Sequence, residues 1–454
     1  MPKFWSCCFF WKKKKNNRRN EVNLQNVHYI NYKIYFMKIY PKIVLCVAVA
    51  TMVFSSCNAG KEPAGLKDAY KKDLLIGVAV NPRNISTPEQ IELIKANFNS
   101  ITAENVMKPG EMHPAPGVWN LEQADAVADF CRQNNIKLRG HCLVWHSQFA
   151  NWMFNKYDKD GNQVVKRDEK GDTIFQEQRR GGGRGFGGAP QAQGAPRDNS
   201  VQASTPVMVP VYEQATKEEF YDSLRAHIYF VVNRYKDIIY GWDVTNECMS
   251  DANNIDASYE DSFRKSQLYN LCGDEFILKA FQFAHEADPK ALLFYNDYSA
   301  WTPAKRTYIY NMVKKLQAEG APITGIGMQG HYNIYDNPTV EDFEKAVEMY
   351  SELVKVIHIT ELDVRINHET GGQLQFSRDG QTITDEIIKQ QEDKYSELFR
   401  SFLKYKKVIK SVTFWNLSDR DSWLGARNYP LPFDENYQPK PLYNLLINKD
   451  YLIK

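Results

Sequence analysis

At 454 residues the chain is long enough for one large domain or two to three ordinary ones. Its formal net charge of +2 argues against a dedicated nucleic-acid binder, which carries a strong basic excess. Aromatic residues make up 13%, and their flat faces suit sugar rings and a large core equally well.

Residues 1–36 carry a basic run at Lys12–Lys15, then Arg18 and Arg19, with no apolar period. We read them as an extension outside the mature protein and place the biological start at Met37. Residues 37–57 follow the grammar of an export signal. Lys38 and Lys42 give a positive flank, Ile43–Phe54 is an apolar run too short to span a bilayer, and Ser55-Ser56 precede Cys57. This resembles a bacterial lipoprotein signal in which Cys57 becomes the lipidated N-terminus, with Phe54 where leucine is usual. The alternative is an ordinary secretory signal. Either way the chain is expected to leave the cytoplasm, as an envelope lipoprotein facing the periplasm or the cell surface, or as a secreted protein. Residues 58–65 read as a tether.

From Leu66 to the end, strands and helices alternate. Strands are predicted at 74–80, 98–104, 136–145, 238–244, 291–295, 325–330, 356–364 and 409–415. Helices are predicted at 87–97, 121–134, 217–235, 274–287, 303–319, 339–353, 385–405 and 441–447. The helices show apolar residues at helical spacing, such as Phe220, Leu224, Ile228 and Val231. The strands are short apolar runs of the kind a doubly covered parallel sheet requires. Eight strands alternating with eight helices predict an α/β fold, a (β/α)8 TIM barrel over 66–454. A segment at about 155–215 interrupts the alternation after the third strand. Asp158–Phe175 is polar with a D-K-D-G turn and reads as a hairpin. Arg179–Pro206 is rich in Gly, Ala, Gln and Pro and reads as disordered. Arginines among its glycines resemble RNA-binding tails, but the run is short and lies inside a barrel loop.

The eight cysteines include no C-x-x-C pair and no zinc-finger spacing. Cys131, Cys142, Cys248 and Cys272 are compatible with disulfides or with buried thiols.

In such barrels the chemistry sits at the C-terminal ends of the strands. Those ends carry Glu104-Asn105 with Lys108; His141, Trp145, His146 and Gln148; Asn246-Glu247; Asn296-Asp297; Gln329 and His331; Glu361 and Asp363; and Trp415 with Asp419, Asp421 and Trp423. A core explains one or two such residues, not seven ends in a row. Two glutamates on opposite sides of a small barrel meet the requirement for glycoside hydrolysis, one as acid and the other as nucleophile or base. Asn246 is placed to hydrogen-bond a sugar 2-hydroxyl. His141, His146 and His331 fall at two strand ends without ligand spacing, so no metal site and no cofactor is expected.

W-D-V-T-N-E at 242–247 and I-T-E-L-D at 359–363 resemble the two signatures of family 10 of the glycoside hydrolases, the endo-β-1,4-xylanases. E-N-V-M-K (104–108), G-H-C-L-V-W-H-S-Q (140–148), N-D-Y (296–298) and G-M-Q-G-H (327–331) look like further motifs of that family in the same order. The resemblance implies a retaining mechanism with Glu361 as nucleophile and Glu247 as acid/base. It implies that Asn105, Lys108, His141, Trp145 and Gln148, with Glu104 beside them, line the non-reducing side of the cut. Gln329 and His331 match the pair that orients the nucleophile region. Trp415 and Trp423 match the aromatic walls around the reacting sugar. The implied partner is xylan or a xylo-oligosaccharide, bound by a monomer that meets no nucleic acid and touches a membrane only through a lipid. A glycan-binding lipoprotein on an inactive barrel and a β-1,4-glucanase are the alternatives. The sequence departs from the family at Asn416, where glycine is usual, at Cys142, where threonine is common, and in the long insertion beside Trp145 and Gln148.

Overall fold

The computed structural model describes residues 65–177, 208–335, 338–366, 383–449 and Leu452. The N-terminal extension, the export signal with Cys57, nearly all of the tether and the Arg179–Pro206 run lie outside them.

Eleven strands and eleven α-helices follow in chain order within these residues. They are α1 (Leu66–Ala69), β1 (Leu75–Val80), α2 (Pro88–Asn97), β2 (Ser100–Ala103), α3 (Pro109–Met112), α4 (Glu122–Asn134), β3 (Lys137–Trp145), β4 (Phe175–Glu177) and β5 (Met208–Pro210). Then come α5 (Lys217–Tyr235), β6 (Ile239–Asn246), α6 (Gln267–Cys272), α7 (Glu275–Ala287), β7 (Leu292–Asp297), α8 (Pro303–Ala318), β8 (Gly325–Met328) and β9 (His331–Asn333). The last are α9 (Val340–Ser351), β10 (Val356–Arg365), α10 (Asp385–Lys404), β11 (Ile409–Phe414) and α11 (Pro441–Ile447).

The main sheet runs β11-β1-β2-β3-β6-β7-β8-β10-β9, and β10 also pairs with β11. That pairing closes a barrel of eight parallel strands, with β9 as a short addition beside β10. The expected (β/α)8 architecture is therefore the one observed. Helix starts follow local chemistry. Thr216 and Glu219 form a reciprocal capping box on α5, and proline opens α2, α8 and α11.

Two features position the site. Gly140 on β3 lies opposite Trp242 on β6, and a Cβ there would sit 2.1 Å from the indole. Only glycine lets the buried Trp242 fill that space. The second is a buried polar layer. The Arg139 guanidinium binds both oxygens of Asp243, meets His358 Nδ1 at 2.8 Å, and lies over the Phe294 ring. Asp243 in turn meets His141 Nδ1 at 3.0 Å. Such charges are tolerated in a core only when paired and hydrogen-bonded, as here.

The insertion differs in detail from the single hairpin expected at 158–175. It contains two tight turns, in which Asp158 Oδ1 accepts from the amides of Asp160 and Asn162, and Asp168 Oδ1 from those of Lys170 and Asp172. Its outgoing arm then pairs antiparallel with a return arm, β4 with β5, Val165 with Tyr212 and Asn155 with Gln214. The polar turn signals were legible; a partner roughly thirty to sixty residues away was not. Cys131, Cys142, Cys248 and Cys272 are buried free thiols.

Candidate active site

Glu361 lies near the C-terminal end of β10, 5% exposed. The register between β10 and β11 shifts between Ile359 and Leu362, which interrupts the in–out alternation around Glu361. Its Oε1 accepts from Asn296 Nδ2 at 2.8 Å and its Oε2 meets His331 Nε2 at 3.1 Å. The other imidazole nitrogen, Nδ1, meets Asp363 Oδ2 at 2.8 Å. Two carboxylate acceptors call for a proton on both ring nitrogens, so His331 is an imidazolium. Burial opposes that charge, but Asp363 and Glu361 outweigh it and raise the His331 pKa from 6.5 to about 10. Burial likewise opposes the charge of Glu361. The His331 hydrogen bond, the His141 and His331 charges and the Asn296 amide prevail, and hold the carboxyl below the ordinary range.

Glu247 stands one residue beyond β6 with a left-handed backbone, φ 57°. Trp145 Nε1 donates to its Oε2 at 2.9 Å, and Gln329 Nε2 to its Oε1 at 3.0 Å. A weaker contact comes from Asn246 Nδ2 at 3.4 Å.

The two carboxylates share one frame of amides. Asn296 Nδ2 donates to Asn246 Oδ1 at 2.9 Å as well as to Glu361, and Gln329 Nε2 reaches Asn246 Oδ1 at 3.2 Å as well as Glu247. The Thr360 hydroxyl donates to Asn296 Oδ1 at 2.7 Å, which fixes which way that amide points. Four strands thus orient two glutamates through a continuous chain, from Glu361 through Asn296, Asn246 and Gln329 to Glu247.

Around this frame stand aromatic and cationic walls. Lys108 Nζ donates to Asn105 Oδ1 at 2.8 Å and lies 4.7 Å from the Trp145 ring centre. Burial pulls the Lys108 pKa down, against the charges of Glu361, Glu104 and Glu247. Burial pushes Glu104 up, with the Lys108 charge opposing. Trp423 Nε1 donates to Asp363 Oδ2 at 2.9 Å, and its ring meets His331 edge-on at 4.9 Å. Trp415 stands edge-on to His141 at 5.4 Å. Asn416 adopts φ 95°, a backbone that favours glycine, and its Oδ1 accepts from the Trp423 amide at 3.1 Å.

Glu247, Glu361, Asn246, Gln329, His331, Trp145 and Trp423 are therefore linked directly to one another or through Asp363 and Asn296. Asn105, Lys108 and Glu104 flank them, and His141 and Trp415 form a second pair behind. The Gln148 carbonyl accepts from the Gly110 amide at 2.9 Å, a bond to α3 and not to the glutamate frame. The three histidines have separate partners: Asp243 for His141, the Trp145 ring for His146, and the two carboxylates for His331. Asn296 was legible as a strand end and in the N-D-Y motif; Asp243 and Thr360 lie inside the two signature motifs but drew no role from the sequence, and neither did Arg139.

The chain matches the model of Glycosyl hydrolase family 10 over residues 65–170 and 204–449. It is 50% identical over 384 residues to an endo-1,4-beta-xylanase/feruloyl esterase of Xylanibacter ruminicola, covering 83% of this chain and 45% of that one. It is 37% identical over 390 residues to an endo-1,4-beta-xylanase A of Caldicellulosiruptor sp., covering 86% of this chain and 48% of that one. The chain spans about half the length of these two relatives. A solved psychrophilic family 10 endo-beta-1,4-xylanase superposes with a TM-score of 0.68 at 46% identity, over 85% of this chain and 99% of that one. The match to the family model covers most of the barrel, and on it this chain belongs to glycosyl hydrolase family 10.

Proposed function

We propose that this protein is an endo-acting, configuration-retaining β-1,4-xylanase, with Glu361 as nucleophile and Glu247 as acid/base. The observation that carries this reading is the amide chain that holds both carboxylates in one frame. In the first displacement the Glu361 carboxylate attacks the anomeric carbon while Glu247 gives its proton to the departing glycosidic oxygen. In the second, Glu247 takes a proton from water, which attacks the anomeric carbon and releases Glu361. The imidazolium of His331 keeps the nucleophile charged through burial. Glu104, Asn105, Lys108, His141, Trp145 and Gln148 line the non-reducing side, and Trp415 and Trp423 wall the reacting sugar.

Glu361→Ala and Glu247→Ala are each expected to abolish release of reducing ends from xylan. Proton NMR of the first product is expected to show the β anomer. Normal turnover in either variant, or an α product, defeats the assignment. The relatives named as xylanases support xylan as substrate. Turnover of xylan above soluble cellulose tests that choice.

The Met37–Cys57 pattern supports export with a lipid on Cys57. Cys57→Ala is expected to lose membrane association, and unchanged association refutes the anchor.

A further inference from the structure

Glu247 holds an unfavourable backbone. A non-glycine residue at φ 57° brings its Cβ against the following carbonyl, and such strain persists only where surrounding bonds over-determine it. Both backbone polar groups of Glu247 are in fact tied. Its amide donates to the Asn296 carbonyl at 2.9 Å, and its carbonyl accepts from Arg264 Nε at 3.1 Å. The Arg264 amide also donates to the Cys248 carbonyl at 2.9 Å, so one arginine grips two consecutive residues.

The guanidinium is itself fixed. Its Nη2 donates to Asp251 Oδ2 at 2.9 Å and to the Tyr298 hydroxyl at 2.6 Å. The buried Lys305 ammonium bridges Asp251 and Asp297 at 3.0 and 2.9 Å and lies 3.5 Å from the Tyr298 ring centre. Two cations and two carboxylates make a balanced cluster between the loop after β6 and the segment after β7. A planar fork with donors at set angles is what this geometry uses, and lysine cannot reproduce it.

We propose that Arg264 is a positioning residue for acid/base catalysis: it holds the main chain of Glu247 so that the carboxyl faces the leaving group. The inference rests on Glu247 being the acid/base. It predicts a defect confined to steps in which Glu247 moves a proton, with the nucleophile untouched.

The test compares kcat/KM for phenyl β-xylobioside, whose leaving group needs a proton, with that for the 2,4-dinitrophenyl compound, whose leaving group departs unaided. In Arg264→Ala the phenyl substrate is expected to lose about 100-fold and the dinitrophenyl substrate less than about threefold. Arg264→Lys, with a point charge and no fork, is expected to recover only part of the loss. Tyr298→Phe removes the hydroxyl that orients the guanidinium and should show the same selectivity at smaller size. It also decides the question if Arg264→Ala does not fold. Equal losses on both substrates, or no loss, overturn the proposal. Glu247→Ala assayed on the same pair separates the two ideas. If that variant shows no leaving-group difference, the acid/base assignment itself fails, whatever Arg264 does.

Discussion

Replacing His331 with asparagine removes a cation from the nucleophile while leaving a neutral polar group in its place. Glu361 is buried, and burial alone raises a carboxyl. What holds it below the ordinary value of 4.5 is led by the His331 hydrogen bond at 3.1 Å, with the His141 and His331 charges and the Asn296 amide behind. An opposite charge at this range moves a carboxyl by about 1–3 pKa units. Its loss therefore destabilises ionised Glu361 by about 1 to 4 kcal/mol, at 1.36 kcal/mol per unit. The nucleophile works ionised, so activity falls as pH drops through its pKa, and raising that pKa moves the acid limb upward. The acid limb of kcat/KM in His331→Asn is expected about 1–3 pH units above that of the wild type. The assay is a profile on 2,4-dinitrophenyl β-xylobioside, where the limb reports the nucleophile without the leaving-group proton. An acid limb that stays in place or moves down refutes the reasoning.

The same histidine makes stability depend on pH. Its folded pKa of about 10 exceeds its ordinary 6.5, so its contribution is full below pH 6.5 and is lost as pH rises through about 10. The Tm difference between wild type and His331→Asn is expected to shrink across that window, and a constant difference counts against the imidazolium. Trp145→Phe removes the indole N–H from Glu247 but keeps a ring over Lys108. A net hydrogen bond is worth about 0.5–1.5 kcal/mol, so kcat/KM should fall roughly 2- to 10-fold with an unchanged circular dichroism spectrum. In Gly327→Ala the new Cβ would lie 2.2 Å from Asn296 Oδ1. Overpacking of about 1–3 kcal/mol in urea unfolding should accompany a loss of activity, because Asn296 orients Glu361.

The barrel was legible because its strands are covered on both faces and read as apolar runs. The functional ends were legible because polar residues stop those runs abruptly. Glu247 and Glu361 stand out for that reason; Asp363, on the same strand end as Glu361, holds His331 and Trp423. What could not be read were partners set by barrel order. Asn296 joins Asn246 and Glu361 because β7 lies next to β6 and across a strand from β10, an order known only after closure. Arg139 and Asp243 sit inside strands where a period-two reading expects apolar interior side chains, and only their mutual pairing permits them there. Arg264, in a loop, carries no local signal at all.

The donors around the two glutamates are divided in a way that matches their work. A double displacement needs one carboxylate whose charge is constant until it bonds to carbon, and another that gives and takes a proton in each turnover. Glu361 meets an imidazolium that two carboxylates keep protonated. The hydrogen bonds to the Glu247 carboxyl, among the described residues, come from an indole and two amides, none of which carries charge. The cation that does contact Glu247, Arg264, binds its main chain and not its carboxyl. A charged donor on the Glu247 carboxyl would favour the ionised form and oppose the step that needs its proton. A neutral donor set on Glu361 would leave burial unopposed and weaken the nucleophile. In the proposed mechanism, exchanging the two environments would impair both half-reactions, so the placement of His331 and Arg264 supports the roles proposed for the two glutamates.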